Sequence, residues 1–154
     1  MKLDKDNFYV SVDSFIALPG EVADISSESF SRVYESVEAR QHKDIVYLLR
    51  TARNFPRLKG ESSILYIGQT KYSYTVRHSP TIKWVTKTEA NLIKYGWAIE
   101  NYGPLYVSVH NFNKFGESPA KAEAQLLWWY FQNHCEYPPF NYTKTKCRNN
   151  VVVI

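Results

Sequence analysis

Hydrophobic and polar residues alternate most cleanly at residues 105–112, LYVSVHNF. Leu105, Val107 and Val109 take one side and Tyr106, Ser108 and His110 the other, the pattern of a strand with a core face and a polar face. Two shorter apolar runs, DIVYLLR (44–50) and SILYIG (63–68), are bounded by charged and polar residues and predict buried strands. NFYVSV (7–12) predicts a further strand near the N-terminus, followed by a loop that Pro19-Gly20 punctuates. Between the two central runs, TARNFPRLKGES (51–62) reads as a connecting loop or hairpin connection.

Helical spacing occupies other stretches. In residues 26–41, Phe30, Val33, Tyr34 and Val37 fall at i, i+3, i+4 and i+7, one buried stripe behind capping serines. The polar segment 69–80 predicts a brief helix that carries Arg77 and stops at Pro80. Residues 86–103 open with Thr86-x-x-Glu89, a capping-box pattern, and close on Gly103-Pro104. Leu92, Ile93, Trp97 and Tyr95 are expected to form the apolar face there. The clearest helix is 118–137, with Ser118 at the N-cap, Pro119 at N1, and Glu123, Leu127, Tyr130 and His134 on one stripe. The end, KTKCRNNVVVI, is basic and then β-branched, suited to adding a strand or pairing with another chain. These elements predict a single α+β domain over residues 1–154, with three core strands near 45–50, 63–68 and 105–112.

Composition changes this picture in one respect. The chain holds 12 Tyr, 8 Phe and 4 Trp, and tyrosines build sites as well as cores because an apolar ring carries a polar tip. The net charge of +4 favours a polyanionic partner. Cys135 and Cys147 lie in no CxxC pair and no Cys/His cluster has zinc spacing, so both read as reduced thiols. No apolar run approaches the roughly 20 residues of a membrane span, and the first residues lack the apolar segment of a signal peptide. A soluble, intracellular (cytoplasmic) protein with no membrane partner is expected.

Four features follow one another along the chain: Tyr47 in IVYLL, Tyr66 in LYIGQT, Arg77 in TVRH and Glu123 in AEAQLLWWY, with Asn141 in PPFNYT after them. This ordered set resembles the GIY-YIG nuclease family. YIG (66–68) matches the family's second signature, and IVY (45–47) stands for the first, with Ile45 in place of its glycine. Arg77, nine residues after Gly68, is placed like the family's arginine, and Glu123 like its metal-binding glutamate. The resemblance covers residues 44–141, with 1–43 as an N-terminal strand-and-helix extension and 142–154 as a basic tail. It implies a small central three-stranded antiparallel sheet flanked by helices. It also implies a metal-dependent endonuclease, a phosphodiester hydrolase using Mg²⁺ or Mn²⁺ on double-stranded DNA. The tyrosines are nineteen residues apart, a longer connection of the kind found among the family's restriction enzymes. Cutting both strands needs two active sites, hence a homodimer.

The residues make chemical sense in these roles. Phosphodiester hydrolysis needs an activated water, a stabiliser for charge on phosphorus and help for the leaving oxygen. Glu123 is the candidate ligand for a divalent ion that keeps several waters. Arg77 is the candidate partner of the scissile phosphate. Tyr47 or Tyr66 would orient or deprotonate the water, and deprotonation needs a nearby cation to lower a pKa of about 10. His78 and His110 are further acid/base candidates. Gly68 is expected where the backbone turns sharply or approaches a ligand, and Asn141 where the chain is tied down after the last helix. Arg53, Arg57, Lys59 and Lys71 are candidate phosphate contacts. Taken singly, each residue has an ordinary reading: core tyrosines, a surface arginine, a first-turn helix carboxylate. Two alternatives stand for the whole chain. One is a non-catalytic nucleic-acid-binding domain on the same scaffold, favoured by Ile45 in place of glycine. The other is an unrelated α+β interaction protein, in which the four residues would not converge.

Overall fold

The structure, a computed structural model, describes residues 5–85 and 88–141. Four strands, β1 (Ile16–Ala17), β2 (Ile45–Pro56), β3 (Glu61–Thr70) and β4 (Leu105–Asn111), form one antiparallel sheet in the order β1-β4-β2-β3. Six helices accompany it: α1 (Phe8–Asp13), α2 (Ser27–Tyr34), α3 (Val37–Gln41), α4 (Tyr74–Val85), α5 (Glu89–Tyr102) and α6 (Pro119–His134). The fold is mixed α+β. β2 is covered on both faces, which is why it reads as a continuous apolar run. Ile45, Tyr47 and Leu49 join the core beneath α2, α4 and α5. Val46 and Leu48 join a second core beneath α1 and α6. Among the described residues no helix is long and apolar enough to cross a membrane.

Several expectations need correction. The sheet has four strands rather than three, because Ile16 and Ala17, expected in a loop, pair with Val109 and Ser108 at its edge. NFYVSV forms α1 and no strand: Phe8, Ser11 and Val12, at i, i+3 and i+4, are the buried positions, and that spacing prevails over β-branched composition. The helix expected over 26–41 is two. Ser36 starts α3 by accepting from the Ala39 N–H, so Val37 leaves the stripe and lies 64% exposed. Helix α4 continues through Pro80 to Val85. Ile93 and Trp97 are exposed, and α5 meets the core through Tyr95, Ala98, Ile99 and Tyr102 instead. Residues 51–62 are mostly strand. Phe55 is buried against Tyr102, which extends the hairpin to a short turn where the Arg57 N–H donates to the Gly60 carbonyl. Thr86 of the expected capping box and the 142–154 tail, with its Val/Ile end, lie outside the described residues.

Candidate active site

The site begins with the pairing of β2 and β3. Tyr47 faces Gly68 and Leu49 faces Tyr66, but Arg50 faces Ile64, so Leu65 is an extra residue in β3. This bulge leaves both Leu65 and Tyr66 against the core beneath α4 and α5. Tyr66 then stacks obliquely on Tyr47, with ring centroids 6.1 Å apart and planes at 30°. Gly68 explains how the Tyr47 ring fits. A Cβ at position 68 would stand 2.5 Å from the Tyr47 hydroxyl oxygen and 2.6 Å from Cε2. Gly68 is therefore the seat of a tyrosine ring. The sharp turn expected there is not seen: position 68 is mid-strand and its φ is not in the left-handed region.

β3 is the outer strand of the sheet, so side chains from both layers reach around its edge. Tyr47 and Tyr66 come from the strands, Arg77 from α4 and Glu123 from α6. All four line one open cleft of about 530 Å³, with Gln69, Ala120, Lys121 and Ala124. Glu123 is held in place by burial at 7% exposure, on the stripe with Leu127, Tyr130 and His134. Ser118 caps α6 by accepting from the Lys121 N–H. The positive end of this 16-residue helix lies beside the cleft. Arg77 also borders an adjoining cavity of about 550 Å³, along with Lys71, Tyr72, Ser118 and Pro119. Asn141 clamps the strand edge. Its amide oxygen accepts from the Ile67 N–H at 2.9 Å, and its amide nitrogen donates to the Ile67 carbonyl at 2.8 Å. The Phe140 N–H donates to the Leu65 carbonyl, so residues 140 and 141 bracket Tyr66.

No family model, curated protein or solved structure matches this chain. The geometry must therefore speak for the site.

Burial raises the Tyr47 hydroxyl far above the ordinary phenol range, and the Tyr66 hydroxyl beside it pushes the same way. Tyr47 is thus a neutral hydrogen-bonding group at physiological pH. Tyr66 is only partly buried, at the lip of the cleft. His78 does not line this cleft. It packs edge-on against Tyr47 at 4.9 Å and close to Tyr74 at 4.3 Å, and burial followed by the charge of Arg77 lowers its pKa to about 3. It is a neutral wedge in an aromatic cluster. His110 is on the opposite face of the sheet, between Phe15 and Phe115, with Nδ1 bonded to the Asn111 carbonyl oxygen. Neither histidine joins the four residues.

The expected phosphate contacts also divide. Lys71 lies beside the cleft. Arg53 donates to the Asn101 carbonyl at the far end of the sheet. Arg57 is occupied: it pairs with Glu136 at 2.9 Å, donates to the Tyr137 carbonyl, and its side chain is 10% exposed. Lys59 sits in the hairpin turn, where its backbone bonds to His134. That turn is about 20 Å from Tyr66 by strand length. Sequence reasoning missed Lys121. A lysine in the first turn of a helix opposes the helix dipole, and that unfavourable placement was the available signal.

The cleft offers oxygen donors of the kind a hard divalent cation takes, alongside the cationic Arg77 and Lys121. Glu123, the Gln69 amide and the tyrosine hydroxyls are all oxygen donors. Among the described residues no three His, Cys, Asp or Glu side chains cluster to form a ready-made metal cage. One carboxylate, with water completing the sphere, is the coordination that Mg²⁺ accepts.

Proposed function

We propose that the chain is a metal-dependent endonuclease that hydrolyses phosphodiester bonds in DNA, with a GIY-YIG-like site. The observation that carries this reading is the meeting of Tyr47, Tyr66, Arg77 and Glu123, from four separate elements, in one cleft. Arg77 is the one exposed residue of the four, and its planar fork suits a phosphate. The α6 N-terminus adds positive charge where negative charge grows on phosphorus, while the Lys121 ammonium at the cleft is paired with Glu117 at 2.6 Å. Glu123 would hold a divalent ion, which when bound supplies charge neutralisation and a more acidic water. Tyr66 is the better placed of the two tyrosines to orient the attacking water. Tyr47, protonated and buried, supports Tyr66 from behind. Ile45, where the family carries glycine, is buried and paired to both Thr70 and Asn111, so the scaffold accommodates it. A restriction-type enzyme acting as a dimer is the form this reading takes, because cutting both strands needs two sites.

Plasmid cleavage with Mg²⁺ or Mn²⁺ tests this directly. Wild type is expected to cut. Glu123→Gln, Arg77→Ala and Tyr66→Phe are expected to lose at least about a hundred-fold in rate. Cleavage that survives chelation, or equal cutting by the variants, overturns the assignment. A second reading, a non-catalytic nucleic-acid-binding domain, draws on the burial of Tyr47, whose hydroxyl cannot serve as a base unaided. It predicts DNA binding that no metal changes and no cutting at all.

A further inference from the structure

Behind the cleft lies a second, smaller cavity of about 230 Å³ between α4, α5 and the sheet. It shares Tyr47, Tyr66 and Arg77 with the cleft, so an occupant would sit directly beside whatever Arg77 holds. Its other walls include Tyr95 and Phe140, whose rings meet at 5.1 Å and 76°, and Tyr74. Asn91 and Lys94 add polar groups, and the Lys94 ammonium stands 4.7 Å above the Phe140 ring. His78 also lines the cavity. Its buried Nε2 has no hydrogen-bond partner among the described residues. A buried polar atom left unpaired is rare enough to need an explanation, and a bound ligand is one.

The volume is below the roughly 300–1,000 Å³ of pockets for drug-sized molecules, which suits a single ring system. Aromatic walls favour a planar π-system, and an amide with two cationic groups can meet the polar edge of a heterocycle. We propose that this slot receives one nucleobase turned out of the DNA stack, from the nucleotide next to the phosphate at Arg77. The inference rests on the nuclease reading. The base lies against Tyr66, Tyr95 or Phe140, and Asn91 meets its edge. Binding a base here holds the neighbouring phosphate in register with Tyr66 and Glu123. It also favours sites where unstacking is cheap, such as mismatches and flexible steps.

The test is photocrosslinking of Glu123→Gln protein, with Mg²⁺ present, to duplexes carrying 5-iodouracil at successive positions, mapped by mass spectrometry. Adducts are expected on Tyr66, Tyr95 or Phe140. Asn91→Trp, which narrows the slot, is expected to cut those adducts at least five-fold and weaken binding about ten-fold. Adducts confined to residues outside the slot, such as Tyr72, on DNA that wild type binds and cuts overturn the base slot and leave the nuclease reading intact. Failure of any DNA to bind overturns both.

Discussion

Gly68→Ala tests the packing of the site without replacing any of its four residues. The added Cβ would stand 2.5 Å from the Tyr47 hydroxyl oxygen. The ring cannot simply retreat, because Tyr66, Tyr74 and His78 surround it at centroid distances of 6.1, 5.1 and 4.9 Å. Overpacking in a filled core costs about 1–3 kcal/mol, and two crowded ring carbons with the hydroxyl oxygen argue for the upper end. Replacing a strand glycine returns about 0.5–1 kcal/mol of backbone entropy. The net is a loss of about 2 kcal/mol, or about 4–8 °C in Tm for a chain of this size. Urea unfolding followed by circular dichroism measures it. The decisive measurement is the double variant with Tyr47→Ala. Tyr47→Ala alone is expected to cost about 3–5 kcal/mol. With the ring gone, Gly68→Ala should cost nothing further and can stabilise slightly. Additive losses, agreeing within about 0.5 kcal/mol, would refute the seat. So would a neutral Gly68→Ala in the wild-type background.

Asn141→Leu removes both hydrogen bonds to Ile67, so a loss of about 2–4 kcal/mol is expected, with faster amide exchange at Ile67 by NMR. Arg57→Ala is expected to lose about 1–2 kcal/mol of stability, and on the nuclease reading the salt dependence of DNA binding should stay as in wild type, because its guanidinium already serves Glu136 and Tyr137. His78 gives a pH signature. Burial and then Arg77 lower its pKa from 6.5 to about 3, so between those values the unfolded chain binds a proton that the folded chain does not. Stability therefore rises with pH across that window and falls on acidification, by up to about 1.4 kcal/mol per pH unit. His78→Leu should flatten that slope in urea titrations between pH 4 and 6, and an unchanged slope would place the protonation elsewhere.

What the sequence revealed depended on how local the deciding physics was. β4 was legible because its alternation reflects one apolar face, and α6 because serine, proline and the apolar stripe agree at its start. The N-terminal segment was not, since Phe8 and Val12 become a helical face only by packing into the core with Leu126, Leu127 and Tyr130 of α6. Tyr47, Tyr66, Arg77 and Glu123 line one cleft, and the sequence pointed to that set only through its resemblance to the GIY-YIG family, since order along the chain does not by itself bring residues together. The role of Gly68 was missed because it depends on register, and register places Tyr47 opposite it. Arg57 looked like a phosphate contact because nothing local shows that Glu136, seventy-nine residues later, neutralises it.

The edge position of the site has a consequence for how it is held together. A central strand separates the two helix layers, and only beyond the last strand can Tyr47 from one layer and Glu123 from the other share an opening. An unpaired edge also exposes backbone donors and acceptors to stray pairing. Here Phe140 and Asn141 bond to the backbone of Leu65 and Ile67, the two residues flanking Tyr66. The same short segment thus covers the edge, supplies Phe140 to the aromatic slot and fixes the backbone that aims Tyr66. It follows in sequence from α6, the helix that carries Glu123. If the nuclease reading holds, a change at Asn141 should therefore lower cleavage through the position of Tyr66 as well as through stability. The sign of that coupling is a larger fall in kcat than in DNA affinity at a temperature where the variant remains folded.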